Sequence, residues 1–171
     1  MTGSSLQVIV VDDETRNSKP HQKLNPTGRY PLLETSEGSL AGVTAICKYF
    51  SRKAKKLYGS NVLEQTQIDQ WVNWSQTTLE PASQQVQSGI FNKDELFQAT
   101  FNDATKDLKA YTKTLNSALS GREWLVGNSI SLADVAVAVS LVVPLQIVLD
   151  GGLRKAMKEV NQWAERVYAT P

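Results

Sequence analysis

Cysteine and histidine are almost absent from this sequence. The 171 residues contain one cysteine, Cys47, and one histidine, His21. A single thiol cannot form an intrachain disulfide or a cysteine zinc cluster, and such low cysteine usage is typical of a reducing compartment. We therefore predict a cytoplasmic protein with no metal site.

The sequence also lacks a long apolar run and an excess of charge of one sign. No segment approaches the roughly 18 uninterrupted apolar residues of a membrane span, and the N-terminus has neither the basic nor the apolar region of a signal peptide. The net charge of +1 argues against a domain that is steered as a whole toward nucleic acid. We predict that the protein neither crosses a membrane nor carries an export signal.

The first third of the sequence has the composition of a small sheet. Val8–Val11 is a β-branched run that predicts a strand with both faces covered. Residues 14–29 are polar and rich in turn formers, which favours a loop or a single helical turn. Tyr30–Thr35 predicts a strand that begins with Pro31, and Ser36–Ser39 predicts a tight turn before a third extended piece.

From Val43 the apolar spacing changes to that of helices. An amphipathic helix is predicted from Val43 to near Gly59, lying on the sheet. The next runs from Glu64 until Pro81 kinks or ends it. The longest pattern covers residues 92–120, with an apolar stripe that includes Ala104, Leu108 and Leu115, and a last helix is predicted over residues 153–167. We therefore divide the chain into a β-containing portion, 1–58, and an all-helical portion, 59–171.

The strongest local signal is the run from Leu125 to Val135. Ser131 is a typical N-cap residue, and Asp134 can accept a hydrogen bond from the Ser131 backbone N–H, as in a capping box. The residues that follow, 135–143, are apolar apart from Ser140. This pattern predicts a helix that is surrounded by protein on every side.

Few residues suggest chemistry. His21 has no acidic or thiol partner nearby in sequence, so we interpret it as an ordinary loop residue, and Cys47 as a buried small hydrophobe. The glycines are too scattered for a phosphate-binding loop, so no nucleotide cofactor is predicted.

Two features of the sequence each allow two interpretations. The basic residues Lys48, Arg52, Lys53, Lys55 and Lys56 form either a solvated helix face or an RNA-backbone patch. Trp71 and Trp74 are either core or interface anchors, or stacking surfaces.

Three motifs carry a family resemblance: Leu57–Asn61, Ile68–Trp71, and Leu125–Ser129 followed by Ser131–Asp134. In this order they resemble the glutathione-transferase-like (GST-like) domain at the N-terminus of eukaryotic glutamyl-tRNA and glutamyl-prolyl-tRNA synthetases. The segment from Pro31 to Thr44 is similar to a small stand-alone protein of the multisynthetase complex, and the elongation factor 1 gamma subunit is a more distant relative. The resemblance implies an α/β plus all-α fold, with a truncated thioredoxin-like portion followed by a helical GST C-terminal-like domain.

The departures from a true glutathione transferase imply that this chain is not an enzyme. Such enzymes activate glutathione with a Tyr, Ser or Cys after a first strand and anchor it with an acidic or Gln residue followed by Ser. Here the first strand–helix unit is missing, and Gly42-Val43 stand at the anchor. Pro31 resembles the cis-proline of the family and keeps a structural role. The resemblance therefore implies no catalytic residue and no cofactor.

In the relatives these domains assemble through their surfaces, which implies partners that are other GST-like domains. By resemblance Asp69 is an interface residue, with Trp71 beside it. Gln162 replaces the arginine that precedes the tryptophan in the relatives, and Arg166 is its candidate substitute. We expect an assembly domain that docks a glutamyl-type synthetase into a multisynthetase complex. The alternatives are a stand-alone scaffold, an elongation factor 1 gamma domain, a divergent glutathione transferase and a module that contacts tRNA weakly.

Overall fold

A computed structural model describes residues 3, 5–91, 95–147 and 151–170. The chain divides into two compact units, Met1–Lys56 and Leu57–Pro171. The boundary lies two residues before the one predicted from the sequence.

The first unit contains short helices, a hairpin and one longer helix. Its elements are α1 (Asp13–Asn17), α2 (Lys19–Leu24), β1 (Leu32–Thr35), β2 (Gly38–Ala41) and α3 (Val43–Ala54). The strands pair antiparallel, with Leu32 opposite Ala41 and Thr35 opposite Gly38. The Thr35 hydroxyl closes the turn because it donates to the Gly38 carbonyl and accepts from the Glu37 N–H. Helix α3 contacts β2, as the amphipathic pattern predicted.

Two expectations for this unit are wrong. Val8–Val11 is not a strand but a segment without regular secondary structure, in which Val8, Ile9 and Val10 are 85%, 72% and 93% exposed and Val11 is half-buried. A β-branched run becomes a strand only where a neighbour completes its hydrogen-bond ladder, and in the described part of the chain the sheet is β1 with β2. Residues 14–29 contain two helices rather than a loop, because Asp12 and Ser18 cap them with their side chains.

Helix α3 ends earlier than predicted. Ala54 is its last residue, since Lys55 adopts a left-handed conformation (φ 52°) and its N–H returns to the carbonyls of the preceding turn. The predicted inner stripe of Ile46, Tyr49 and Phe50 is half-buried.

The second unit is helical. It contains α4 (Val62–Trp74), a π-helical segment (Ser75–Leu79), α5 (Glu80–Phe91), α6 (Glu95–Ala118), α7 (Leu132–Ile147), α8 (Gly151–Ala156) and α9 (Lys158–Ala169). Helix α7 contacts α4, α5 and α9, and α6 contacts α5 and α9. Side chains from these helices form the core, including fully buried Ile68, Leu79, Leu108, Leu115, Leu141 and Trp163.

Pro81 does not end the helical path, so that part of the prediction is wrong, while a kink at Pro81 stays a prediction. The chain stays helical from Val62 to Phe91, and the turn before the proline widens into the π-helical segment. A proline ring inside a regular helix collides with the carbonyl four residues earlier. A wider turn moves that carbonyl away, so the helix continues.

Helix α7 is not enclosed on every side. Its inner positions Val137, Ala138 and Leu141 are buried, but Val139 is 67% exposed and Val142 is 37% exposed. Helix α7 therefore has an apolar face that is exposed as well as one that is buried. No helix in the described ranges has the length and apolar character needed to cross a bilayer.

Candidate functional site

Asp134 is the polar centre of the helical unit. Its Oδ2 accepts hydrogen bonds from the Ser131 N–H (2.9 Å) and the Ser131 hydroxyl (2.8 Å), which is the local cap that the sequence predicts. Its Oδ1 accepts from the Leu125 N–H (2.9 Å) and from the Trp163 indole N–H (2.8 Å). Asp134 is fully buried, so four donors compensate its desolvation. This carboxylate connects the loop before α7, the start of α7, and α9.

The predicted interface residues of α9 face in different directions. Gln162 is exposed, whereas Trp163 beside it is fully buried. Arg166 is half-buried, and its guanidinium donates to the Glu123 carbonyl (3.0 Å). One of its nitrogens, Nε, is buried and has no hydrogen-bond acceptor among the described residues. Arg166 is therefore engaged with its own chain.

The predicted interface residues of α4 are also engaged internally. Asp69 accepts a hydrogen bond from the hydroxyl of buried Tyr58 (2.7 Å). The half-buried Trp71 makes an edge-to-face contact with Trp74, which makes another with Tyr111 on α6. The anchor interpretation of the two tryptophans fits this cluster.

Helix α7 contacts both helices that carry the predicted interface residues, α4 and α9. Its exposed Val139 and Val142 lie one turn apart, and Tyr168 of α9 is bound alongside, with its hydroxyl donating to the Ala138 carbonyl (2.9 Å). Partial burial raises the pKa of Tyr168. We call Val139, Val142 and Tyr168 the α7–α9 patch. Sequence reasoning missed it because the apolar run was assigned wholly to the interior. Gln146 falls on the same helical stripe as Val139 and Val142, and its polar side chain is the sequence feature that could have indicated an exposed face.

In the first unit, backbone groups and an apolar side chain occupy the corner that the resemblance assigns to a ligand anchor. The Tyr30–Pro31 peptide is cis, and the Pro31 carbonyl accepts from the Gly42 N–H (2.9 Å). Helix α3 begins after Gly42 without a side-chain cap, and the side chain of Val43 is exposed. Gly42 and Val43 present no side chain that could bind an anion or activate a thiol.

His21 is not the loop residue that the sequence suggested. It lies in α2 and is buried. Its Nε2 is 2.8 Å from the Tyr30 hydroxyl, and the Arg16 guanidinium lies over the Tyr30 ring. Cys47 lies half-buried on α3, and burial raises the pKa of its thiol. In the described ranges, His, Cys, Asp and Glu do not gather in groups of three or more that could hold a metal ion.

The family model for the C-terminal domain of glutathione S-transferase matches residues 75–171. The chain belongs to the glutathione S-transferase family. Its fold agrees: a glutathione transferase of Phanerochaete chrysosporium, solved with oxidised glutathione, superposes with a TM-score of 0.80 at 19% identity, covering 99% of this chain and 82% of that one. The architecture is the GST fold, with a short β/α part before a helical C-terminal domain.

Among curated proteins, this GST-like chain is related to translation proteins. It is 31% identical to elongation factor 1-gamma of Artemia salina over 95% of this chain, and 31% identical to that of Trypanosoma cruzi over 97%. It is 32% identical to valine–tRNA ligase of Takifugu rubripes over 62% of this chain and 9% of the ligase. The chain spans 38% and 40% of the two elongation factors.

Proposed function

We propose that this chain is a non-catalytic assembly domain of the translation machinery, which docks a synthetase or an elongation factor subunit onto other GST-like domains. The observation that carries the proposal is the α7–α9 patch in a domain related to elongation factor 1-gamma. The glutamyl-type synthetase that the sequence motifs suggested is a narrower form of this proposal. The cytoplasm is the compartment in which this function would operate.

Docking through the α7–α9 patch is supported by exposed apolar side chains on two helices that contact each other. Val139 and Val142 are apolar side chains that the folded domain leaves in water. Covering Val139 by a partner would contribute roughly 1–2 kcal/mol, and covering the more buried Val142 would contribute less. The hydroxyl of Tyr168 is already satisfied by Ala138, so a partner can cover the ring without stranding a donor. Enzymes that are held together by such domains are present at a raised local concentration relative to one another, and this requires no new chemistry.

The absence of catalysis is part of the proposal. At the corner beside β1 and α3, Gly42 and Val43 offer no hydroxyl or carboxylate, and the raised pKa of Cys47 disfavours a thiolate. We expect no retention on immobilised glutathione and no turnover of an electrophilic test substrate. Retention together with turnover would support the divergent-transferase alternative instead.

Co-elution of variants with partner domains tests the docking surface. The partners are purified GST-like domains of elongation factor 1-gamma, valyl-tRNA synthetase and glutamyl-tRNA synthetase. Val139→Glu should weaken the complex at least about tenfold, because a carboxylate would have to be buried against the partner. The matched control is Val62→Glu, since Val62 is 78% exposed at the start of α4, and it should bind like the wild type. Failure to co-elute with any of the three domains, or equal loss in both variants, would contradict the proposal.

A further inference from the structure

The C-terminal end of α3 gathers basic side chains. Arg52 and Lys53 lie in its last turn, and Lys55 and Lys56 follow immediately; all four are exposed. We call these four residues the basic end of α3. In the ranges that the structure describes, no carboxylate oxygen lies within 4.0 Å of the ammonium groups of Lys53, Lys55 or Lys56. The Lys53 ammonium instead donates to the Tyr49 hydroxyl (3.4 Å), which leaves its positive charge without a counter-charge.

The basic end of α3 lies in the more basic of the two units. Residues 1–56 contain nine Lys and Arg against five Asp and Glu, whereas residues 57–171 contain nine against twelve. The near-zero net charge of the whole chain is therefore the sum of a positive charge on the first unit and a negative charge on the second. A local cluster on the basic unit attracts polyanions even where the total charge does not.

Backbone geometry holds two of these lysines in place. Lys55 has φ 52° and ψ 39°, the left-handed conformation that favours glycine, and its N–H bonds the carbonyls of Ser51 and Arg52. The Lys56 N–H bonds the Ser51 carbonyl (3.0 Å). A lysine at a position that favours glycine is strained, and strain that persists is a reason to look for a function.

The helix dipole does not explain the whole cluster. A helix C-terminus carries roughly half a negative charge, which one or two cations neutralise. Four cations within five residues exceed that need. A membrane surface fits poorly, because the large exposed apolar side chains of this unit lie away from the basic end of α3: Val43 is at the opposite end of the helix, and the others are on other segments, namely Leu6, Val8, Ile9, Val10 and Leu24.

We propose that the basic end of α3 binds the phosphate backbone of RNA. Point-charge lysines on a fixed backbone suit a row of phosphates without reading base identity. The choice of RNA over DNA rests on the proposed role in translation. Binding itself requires no partner domain, so its failure is distinguishable from a failure of assembly.

Fluorescence anisotropy with labelled tRNA and labelled poly-U, measured over a salt series, tests the proposal. The triple variant Lys53→Gln, Lys55→Gln, Lys56→Gln should bind at least about tenfold more weakly at roughly 100 mM salt, and the log–log salt slope should fall by about 0.7 for each phosphate that is no longer neutralised. The matched control is Lys106→Gln, Lys109→Gln, Lys113→Gln on α6, which removes the same charge and should stay within about twofold of the wild type. Equal weakening in both triples would overturn the proposal, as would tight binding of a poly-glutamate peptide with no binding of RNA.

Lys55→Gly separates an RNA-binding role from a structural one. Glycine relieves the left-handed strain, so the melting temperature should stay equal or rise by about 2–4 °C, while RNA affinity should fall about threefold or more. A variant with higher stability and unchanged RNA affinity would overturn the role of Lys55.

Discussion

At the scale of single residues, Asp134 shows how one buried carboxylate stabilises three segments. Hydrogen bonds to a charged group contribute roughly 1.5–3 kcal/mol each, and Asp134 accepts four of them. Two donors come from Ser131, three residues away, and the others come from Leu125 and Trp163. The same side chain therefore caps α7 and fixes the position of the α9 indole. Because the indole N–H of buried Trp163 is held by this bond, Trp163 is not available at the surface, whereas its neighbour Gln162 is exposed.

The chain's single thiol gives a prediction on pH dependence. Burial raises the pKa of Cys47, so less of the reactive thiolate is present at a given pH. We expect a disulfide reagent to modify Cys47 several-fold more slowly than free glutathione near neutral pH, with the midpoint of the rate shifted upward. The protonated thiol is favoured in the folded state, so its stabilising effect is present below the unfolded-state pKa and is lost as pH rises through the folded value.

The rate of thiol modification in urea provides the internal control, because unfolding should restore the reactivity of an ordinary cysteine. Cys47→Ser should give no signal, since no other thiol is present. A rate in the folded chain equal to that of glutathione would show that Cys47 is neither shielded nor shifted in pKa.

Residue roles that depend on local spacing were readable from the sequence, and those that depend on tertiary contacts were not. The bond between Asp134 and the Ser131 N–H spans three residues, so a capping pattern suffices to predict it. The bond from Trp163 spans 29 residues and has no periodic signature. His21 likewise was assigned to a loop because its partner, Tyr30, is nine residues away.

At the scale of elements, the packing of α5 against α6 depends on Gly89. A Cβ at Gly89 would lie 2.6 Å from the Cβ of Phe101, an atom that is fixed to the α6 backbone. Gly89→Ala should therefore destabilise the fold by about 1–3 kcal/mol, despite the better helix propensity of alanine. Urea denaturation followed by circular dichroism measures the change.

Gly151→Ala is the matched control for Gly89→Ala, because Gly151 lies in α8 and a Cβ there would meet no other atom within 4 Å among the described residues. It should leave the stability unchanged or raise it. If Gly89→Ala were as stable as the wild type, the two helices would not be limited by this close approach.

Helices were more predictable than strands for a physical reason. The apolar stripe of α6, which includes Ala104, Leu108 and Leu115, is buried as its spacing predicted, because a helix satisfies its own backbone. A strand needs a neighbour, so the same reasoning failed for Val8–Val11. The expectation that a helix could end at Pro81 was wrong because the proline rule describes a regular helix, and the π-helical segment before Pro81 changes the local geometry.

At the scale of the whole molecule, family membership and fold followed from ordered motifs, whereas the interaction surfaces did not. Burial decides which apolar residues face water, and burial is a property of the folded chain. Val139 and Val142 were assigned to the interior on composition, yet both are exposed. The charge difference between the units was equally hidden within a net charge of +1.

The exposed segment Val8–Val11 is a liability for the molecule as a whole. Its β-branched side chains have high β-propensity and its backbone lies outside the β1–β2 sheet, so the segment is available for pairing with other chains. We expect the double variant Val8→Lys, Val10→Lys to reduce concentration-dependent self-association in analytical ultracentrifugation. The melting temperature should stay the same, because the two side chains are 85% and 93% exposed and surface substitutions change stability by roughly 0.5 kcal/mol or less.

The control for this prediction is Leu24→Lys, Val43→Lys, which adds the same charge at exposed apolar positions on α2 and α3. If both double variants lowered self-association equally, charge repulsion would be the cause, and Val8–Val11 would not be the site of self-association. If Val8→Lys, Val10→Lys instead lowered the melting temperature by more than about 4 °C, the segment would be packed in solution. A loss of self-association confined to the first variant, with unchanged melting, would identify Val8–Val11 as the segment through which copies of this chain pair, because there an exposed apolar run coincides with a backbone that lies outside the β1–β2 sheet.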